Sequence, residues 1–270
     1  MSELADAGFL ELPAQRLEYR MIGPRPAQAP TIVMLHEGLG CVGMWGDFPE
    51  RLAEATGAGV FAYSRAGYGR SSPVPLPRPP TYMHSEATGT LKEILAAIGF
   101  RRGLLLGHSD GASIATIYAG SIQDHRVRGL VLIAPHFFVE DVSLRQAAEA
   151  RTAYESGDLK QKLARWHKDP DNAFHGWNGA WLDPKFRGWD ITPELAYIRV
   201  PILIVQGEDD GHGTVKQIEA AREECYCPVD VTLVAGARHV PHREAPEVTR
   251  DAVAAFINRL LRTHGEAEAA

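Results

Sequence analysis

The sequence predicts an α/β fold: a mostly parallel sheet flanked by helices, with a helical cap inserted after the sixth strand. Three observations predict it. Short apolar runs alternate with stretches of helical spacing towards both ends of the 270-residue chain, the pattern of strands joined by crossover helices. In the middle, Leu104-Leu105-Leu106 reads as a strand buried on both faces; it stops at Gly107, and after Gly111 helical spacing takes over at Ile114, Ile117 and Tyr118. From Pro135 to about Ile198 the alternation is suspended, and the pattern is helical, loop-rich and aromatic, with Trp166, Trp177, Trp181 and Trp189. The expected organisation is a core of residues 1–134 and 199–270 with a cap at 135–198.

Taken in order, Phe9–Leu12 and Arg16–Ile22 are short alternating stretches split by Pro13-Ala14, an opening antiparallel pair. Thr31–His36 is a continuous apolar strand that ends in His36-Glu37-Gly38-Leu39-Gly40; glycines directly after a buried strand mark backbone that approaches something closely. The next helix carries Pro49 in its first turn and Gly57 just past its end. Val60–Tyr63 is a strand, and the proline-rich stretch 73–80 can continue neither element type. Thr81–Ile98 is helical, with Leu91, Ile94, Leu95 and Ile98 as its buried stripe, and leads into the central strand. Val127–Ala134 is the sixth strand. After the cap come a strand at Pro201–Gln206, a helix around Val215–Glu224, a strand at Val229–Ala235 and a last helix at Pro246–Leu261.

Composition narrows the function classes. A hydrophobic fraction of 45% and a charged fraction of 23% are ordinary for a globular protein, and the formal net charge of −6 offers no basic face for nucleic acid. Cys41, Cys225 and Cys227 form neither a disulfide framework nor a zinc pattern, which suits a reducing compartment. The segment Met1-Ser2-Glu3-Leu4-Ala5 lacks a basic, apolar leader pattern, and no apolar run approaches 18 residues. A cytoplasmic protein is expected, with a small-molecule substrate, no nucleic acid and no membrane partner; a homodimer stays open.

The chemistry gathers at strand ends. Gly107-His108-Ser109-Asp110-Gly111 matches G-x-S-x-G between a strand and a helix, a turn so sharp that the positions flanking the serine must lack a Cβ. Ser109 is thereby pushed out above a helix N-terminus. A serine hydroxyl needs a base to take its proton, and the base needs an orienting acid. Reacting groups in open α/β sheets lie beyond the carboxyl ends of strands. Two later strands end in Gly207-Glu208-Asp209-Asp210 and in Gly236-Ala237-Arg238-His239-Val240-Pro241-His242, which supply carboxylates and histidines in the order serine, acid, histidine. The other histidines are not grouped at metal-ligand spacing, and no dinucleotide or P-loop pattern occurs, so neither a metal nor a cofactor is expected.

With L-H-E-G-L-G, A-G-Y-G-R-S, G-H-S-D-G, P-I-L-I-V-Q-G-E-D-D and G-A-R-H-V-P-H-R-E-A-P, the chain resembles α/β-hydrolase-fold enzymes along nearly its whole length. The resemblance implies Ser109 as nucleophile, His239 as base and Asp210 as the acid, three residues after the strand-ending Gly207. It selects Asp210 over Asp209 and His239 over His242. It also implies an oxyanion hole formed by the backbone N–H groups of Asp110 and Gly38. Relatives have His-Gly-x, whereas here Glu37 separates His36 from Gly38, which leaves Leu39 open as the second donor. Where some relatives carry the acid after the sixth strand, this chain has Pro135 and His136.

The activity so implied is hydrolysis of a carboxylic ester, thioester or lactone of a small aromatic or medium-chain substrate. Two readings compete: a C–C bond hydrolase of aromatic ring-cleavage products using the same triad, and a non-catalytic small-ligand receptor on the same fold. His108, Phe137, Phe138, Trp177 and Trp181 are expected to line the substrate pocket, the last four as an aromatic wall contributed by the cap.

Overall fold

Alternate residues of the central strands feed two separate cores. The computed structural model describes residues 4–268, with side chains over 4–261. Among these, the strands are β1 (Ala7–Glu11), β2 (Arg16–Ile22), β3 (Thr31–Leu35), β4 (Gly59–Tyr63), β5 (Gly103–His108), β6 (Val127–Ile133), β7 (Ile202–Gly207) and β8 (Val229–Val234). Successive side chains of a strand point to opposite faces. Accordingly Val33, Leu35, Leu105, Leu130, Leu132, Ile202 and Ile204 enter one buried cluster. Ile32, Met34, Leu104, Leu106, Val131, Ile133, Leu203 and Val205 enter the other. The helix Phe48–Thr56 and the helix Pro246–Glu268 cover the second cluster through Phe48, Leu52, Val253, Phe256 and Ile257. The helices Asp110–Ile122 and Lys216–Glu224 and the helical segment Tyr82–Ala97 cover the first. A strand buried on both faces has no polar side, which is why these strands read as continuous apolar runs.

The sheet order is β1-β2-β4-β3-β5-β6-β7-β8. β1 and β2 form the opening antiparallel pair, β2 meets β4 antiparallel, and every pairing from β4 to β8 is parallel. β5 therefore runs between β3 and β6 near the middle of the sheet, and the ends of β3, β5, β7 and β8 converge on one edge. Local chemistry sets the helix limits: Gly57 closes Phe48–Thr56 in the left-handed conformation at φ 68°. The stretch expected as one helix over Thr81–Ile98 is instead an α-turn at Tyr82–Ser85, a wide π-type stretch at Glu86–Leu91 and an α-helix at Lys92–Ala97. Within it Thr88 donates its hydroxyl to the His84 carbonyl at 2.8 Å, and Gly89 adds no packing side chain, so the ladder widens there.

Between β6 and β7 the chain forms the helices Asp141–Ser156, Leu159–Leu163, Pro170–Trp181 and Thr192–Leu195, and a 3₁₀ turn at Pro184–Gly188. Pro170–Trp181 starts on Asp169, whose carboxylate accepts from the Asn172 N–H at 2.9 Å, with Pro170 in the first turn. Much of this segment's aromatic content holds it together: Tyr154 stacks on Phe174 with centroids 3.8 Å apart, and Trp181, Phe186 and Trp189 pack in a row. No helix among the described residues is long and apolar enough to cross a membrane.

Candidate active site

Ser109 sits between β5 and the helix Asp110–Ile122 with φ 51° and ψ −118°, a backbone conformation that L-residues rarely adopt. Two hydrogen bonds pin it: its N–H donates to the Ile133 carbonyl at 2.9 Å, and its own carbonyl accepts from Ala112 at 2.8 Å. The flanking glycines are a steric requirement. A Cβ on Gly107 would lie 2.3 Å from the backbone of Gly111, and one on Gly111 would lie 2.0 Å from the Leu35 carbonyl oxygen.

The turn aims Ser109 at residues from two distant strand ends. Ser109 Oγ donates to His239 Nε2 at 3.0 Å, and His239 Nδ1 donates to both carboxylate oxygens of Asp210 at 3.0 Å. Asp210 also accepts from Gln206 Nε2 at 2.7 Å and from the His212 N–H at 2.8 Å. Burial pushes the Asp210 carboxyl up, but the His239 hydrogen bond and charge and the His212 N–H outweigh it and hold the pKa down to about 2. An ionised Asp210 holds an imidazole proton on His239 Nδ1 and turns Nε2 towards the serine hydroxyl. Asp209 is exposed, and His242 is buried between Trp45, Phe48 and His108, so neither takes part in this chain of contacts.

A shell of imidazoles surrounds His239. His108 Nε2 donates to the His239 carbonyl at 2.8 Å, His212 stacks on the His239 ring at 4.2 Å, and His136 lies 5.6 Å away. Asp210, His212 and His239 also place one ligand atom each within 4.8 Å of one another, the group among the described residues able to hold a metal ion.

The loops around Ser109 are tied together by a buried cation. Arg65 Nη2 donates to the carbonyls of Glu37 at 2.8 Å and His36 at 3.3 Å, and it stands 3.9 Å from Asp110 Oδ2. Tyr82 donates its hydroxyl to the same Asp110 oxygen, and Trp181 Nε1 shares its proton between Tyr82 Oη and Asp110 Oδ1, both at 3.2 Å. Arg65 and Asp110 are fully buried. Their mutual charge offsets only part of what burial costs Asp110, whose carboxyl is still raised above the usual range.

A cavity of about 400 Å³ opens over Ser109. Leu39, Ala150, Ala153, Leu159 and Trp177 give it apolar walls, and Glu37, Gln146, Glu149 and His212 add polar groups. Gly38 lines it as well, and the indole of Trp177 lies so close that a Cβ on Gly38 would come within 2.3 Å of it. The glycine after β3 thus makes room for the inserted segment.

The expected aromatic wall is corrected to a single indole. Trp177 lines the cavity; Phe137, Phe138, Trp181 and His108 do not. Phe137 is fully buried in the core with its N–H held by Gln217, and Phe138 pairs with Asp190 in an isolated bridge. Trp181 is 3% exposed and directs its N–H at Asp110 and Tyr82, because a buried indole needs a hydrogen-bond partner. His108 lies beneath His239. Sequence reasoning missed His212, although it stands two residues after Asp210. It also missed Gln206, although it lies in the P-I-L-I-V-Q-G-E-D-D stretch, and Arg65 and the helix Asp141–Ser156, neither of which carries a local motif.

Burial holds His136 down to about 3 and pushes His36 and His242 well below the usual range, so all three are neutral in the native state. The unfolded chain protonates them near pH 6.5, so their stability contribution is present above that pH and lost as pH falls towards the folded values. Each takes up to about 1.4 kcal/mol per pH unit below pH 6.5. Asp210 adds its own loss only between about pH 4 and its folded value of about 2. Stability against urea should fall steeply from pH 6.5 to 4.5, and His242→Leu should make that slope shallower. An equal slope in the variant would contradict the neutral burial of His242.

Residues 32–252 match the Alpha/beta hydrolase family, and the chain belongs to that family: it is a hydrolase. Among its relatives, the proline iminopeptidase of Lactobacillus helveticus is 29% identical over 230 residues, covering 71% of this chain and 78% of that one. The fold is shared with the enol-lactonase of Burkholderia xenovorans LB400, at a TM-score of 0.73, 21% identity, and coverage of 92% of this chain and 99% of that one. It is also shared with a carboxylesterase from Bacillus subtilis, at a TM-score of 0.68, 20% identity, and coverage of 93% and 90%.

Proposed function

We propose that this hydrolase cleaves a carboxylic ester, thioester or lactone of a small substrate through a covalent acyl-enzyme on Ser109. The observation that carries the reading is the unbroken line from Ser109 Oγ through His239 to Asp210, with 3.0 Å at each step, on a serine strained to φ 51°. In this mechanism His239 Nε2 takes the hydroxyl proton as Oγ attacks the carbonyl, and Asp210 stabilises the imidazolium that forms. The backbone N–H of Asp110 and that of Gly38 or Leu39 receive the oxyanion, each contributing about 2.7–4 kcal/mol to the transition state. His239 then hands its proton to the leaving oxygen or, from a thioester, the leaving sulfur, and water resolves the acyl-enzyme with His239 again as base. The Arg65 contacts to His36, Glu37 and Asp110 hold the two halves of this oxyanion site in register.

The segment 135–198 acts as a cap over the site in this reading, with Gln146, Glu149, Ala150, Ala153, Leu159 and Trp177 reaching the cavity. Its volume and apolar walls suit a small aromatic or medium-chain acyl group. The test is labelling with a fluorophosphonate followed by peptide mapping. An adduct at Ser109 that is absent from Ser109→Ala is expected. No adduct would favour the receptor reading, and an adduct without turnover of any ester would move the chemistry to C–C bond cleavage by the same groups.

A further inference from the structure

Glu37 stands between His36 and Gly38, directly before the candidate oxyanion donors, and the hydrolytic reading gives it no task. Its carboxylate is turned inward. It lines the Ser109 cavity, and a Cβ on Gly40 would come 2.3 Å from its Oε2. The second glycine of this loop leaves the seat that the carboxylate fills.

A carboxylate charge at this place opposes the negative charge that develops on an oxyanion, so the group that neutralises it matters. Arg65 is committed elsewhere, to the carbonyls of His36 and Glu37 and to Asp110. His36 is neutral, since its Nδ1 donates to the Glu37 carbonyl at 2.7 Å and its Nε2 accepts from the Arg65 N–H at 3.0 Å. His167 is neutral in the same way, between the Leu39 carbonyl and the Gly69 N–H. Burial keeps His242 neutral and Cys41 a thiol. His108 remains, fully buried among Trp45, His239 and His242. Its Nε2 faces the His239 carbonyl at 2.8 Å, which can only accept, so Nε2 carries a proton. Its Nδ1 faces Glu37 Oε2 at 3.4 Å and has no hydrogen-bond partner among the described residues. With Nδ1 bare and Glu37 ionised, a lone pair and a carboxylate would confront each other inside the protein. One proton between them removes the conflict, as a carboxyl donating to Nδ1 or as an imidazolium donating to the carboxylate. With His108 carrying it, the contact outweighs the burial that raises Glu37 and keeps it a carboxylate within a pair that is neutral as a whole.

We propose that Glu37 and His108 hold one proton between them, and that this proton allows an acidic side chain to lie beside the oxyanion site without opposing the transition state. This rests on the reading of Ser109 as nucleophile. His108 is then a positioning residue that acts through Glu37: its Nε2 anchors the His239 loop, and its Nδ1 side neutralises the loop of Gly38.

The proton is counted by capillary electrophoresis at pH 8. Glu37→Gln should keep the mobility of the parent, because one neutral pair replaces another. Glu208→Gln, at an exposed carboxylate, should shift by one full charge. A shift of Glu37→Gln equal to that of Glu208→Gln means an unpaired anion and overturns the proposal, whatever Ser109 does. The consequence is read by a double-mutant cycle. In His108→Gln the amide N–H replaces Nε2 at the His239 carbonyl and leaves Glu37 without the shared proton. On one ester kcat should fall about 30-fold or more with KM within about threefold. Adding Glu37→Gln should recover about tenfold of that loss. Phenylboronic acid gives a second readout: Ser109 Oγ adds to boron, its proton passes to His239, and a tetrahedral boronate anion results. His108→Gln should bind it about tenfold more weakly than the parent, and the double variant should regain the affinity. Losses that simply add, with no recovery by Glu37→Gln, show a merely structural His108 and overturn the proposal while the hydrolytic reading stands. Boronate bound to the parent no tighter than to Ser109→Ala overturns the nucleophile reading and this proposal together.

Discussion

Ser109→Ala and His239→Ala should each lower kcat by roughly 10⁴–10⁶ on any ester the protein turns over, and the double variant should be little worse than either single one. In the proposed mechanism the three groups act as one device: without Oγ there is no nucleophile, and without Nε2, 3.0 Å away, nothing takes its proton. Asp210→Asn should cost somewhat less, about 10⁴, through a different cause. Asp210 accepts from His239, Gln206 and the His212 N–H, and an amide must turn an N–H₂ towards one of these donors. Turned towards His239, it moves the imidazole proton to Nε2, where it faces the serine. Asp209→Asn should stay within about tenfold, since Asp209 is exposed and outside the relay. Steady-state kinetics on one ester with circular dichroism as a folding control decide the matter. A crippled Asp209→Asn beside an active Asp210→Asn would reverse the assignment of the acid.

Arg65→Met should destabilise the protein by about 3–5 kcal/mol, the cost of leaving a buried charge without its partner. Arg65 is fully buried and its guanidinium serves the carbonyls of His36 and Glu37 and the carboxylate of Asp110. With Met at 65, Asp110 keeps its Tyr82 and Trp181 donors but loses its cation in a site where burial already pushes its carboxyl up. Adding Asp110→Asn removes the stranded anion and should recover part of the loss, so the two substitutions are non-additive. Urea midpoints at constant slope give the energies. A single variant within 1 kcal/mol of the parent, or a double variant at the plain sum, would show that the two side chains do not depend on each other.

Features that depend on residues near in sequence were legible. The elbow at Gly107–Gly111 follows from the steric demand of one turn, and the strands follow from apolar runs with no polar face. The assignment of β3, β5, β6 and β7 to a sheet covered on both sides needed only that pattern. The composition of the cavity wall was not legible. Trp177 and Trp181 are four residues apart on one helix, and both look like pocket aromatics in the sequence. One faces the cavity and the other turns its N–H to Asp110, a residue 71 positions away. Phe137 and Phe138 follow the sixth strand in a position that suggested the site, yet Gln217 and Asp190 draw the chain there into the core and an isolated bridge.

By itself, then, the sequence determined the sheet, the helical insertion, the elbow and the order of serine, acid and histidine, because each is written in local periodicity or in the backbone geometry of a few neighbouring residues. Only the tertiary structure decided that Arg65 clamps the loops on either side of Ser109, that His212 stacks on His239, and that the cavity carries Glu37 and Glu149 with a single indole. Those contacts join residues far apart along the chain. Whether two such side chains meet depends on how the packed elements between them are oriented, which no short stretch of sequence encodes.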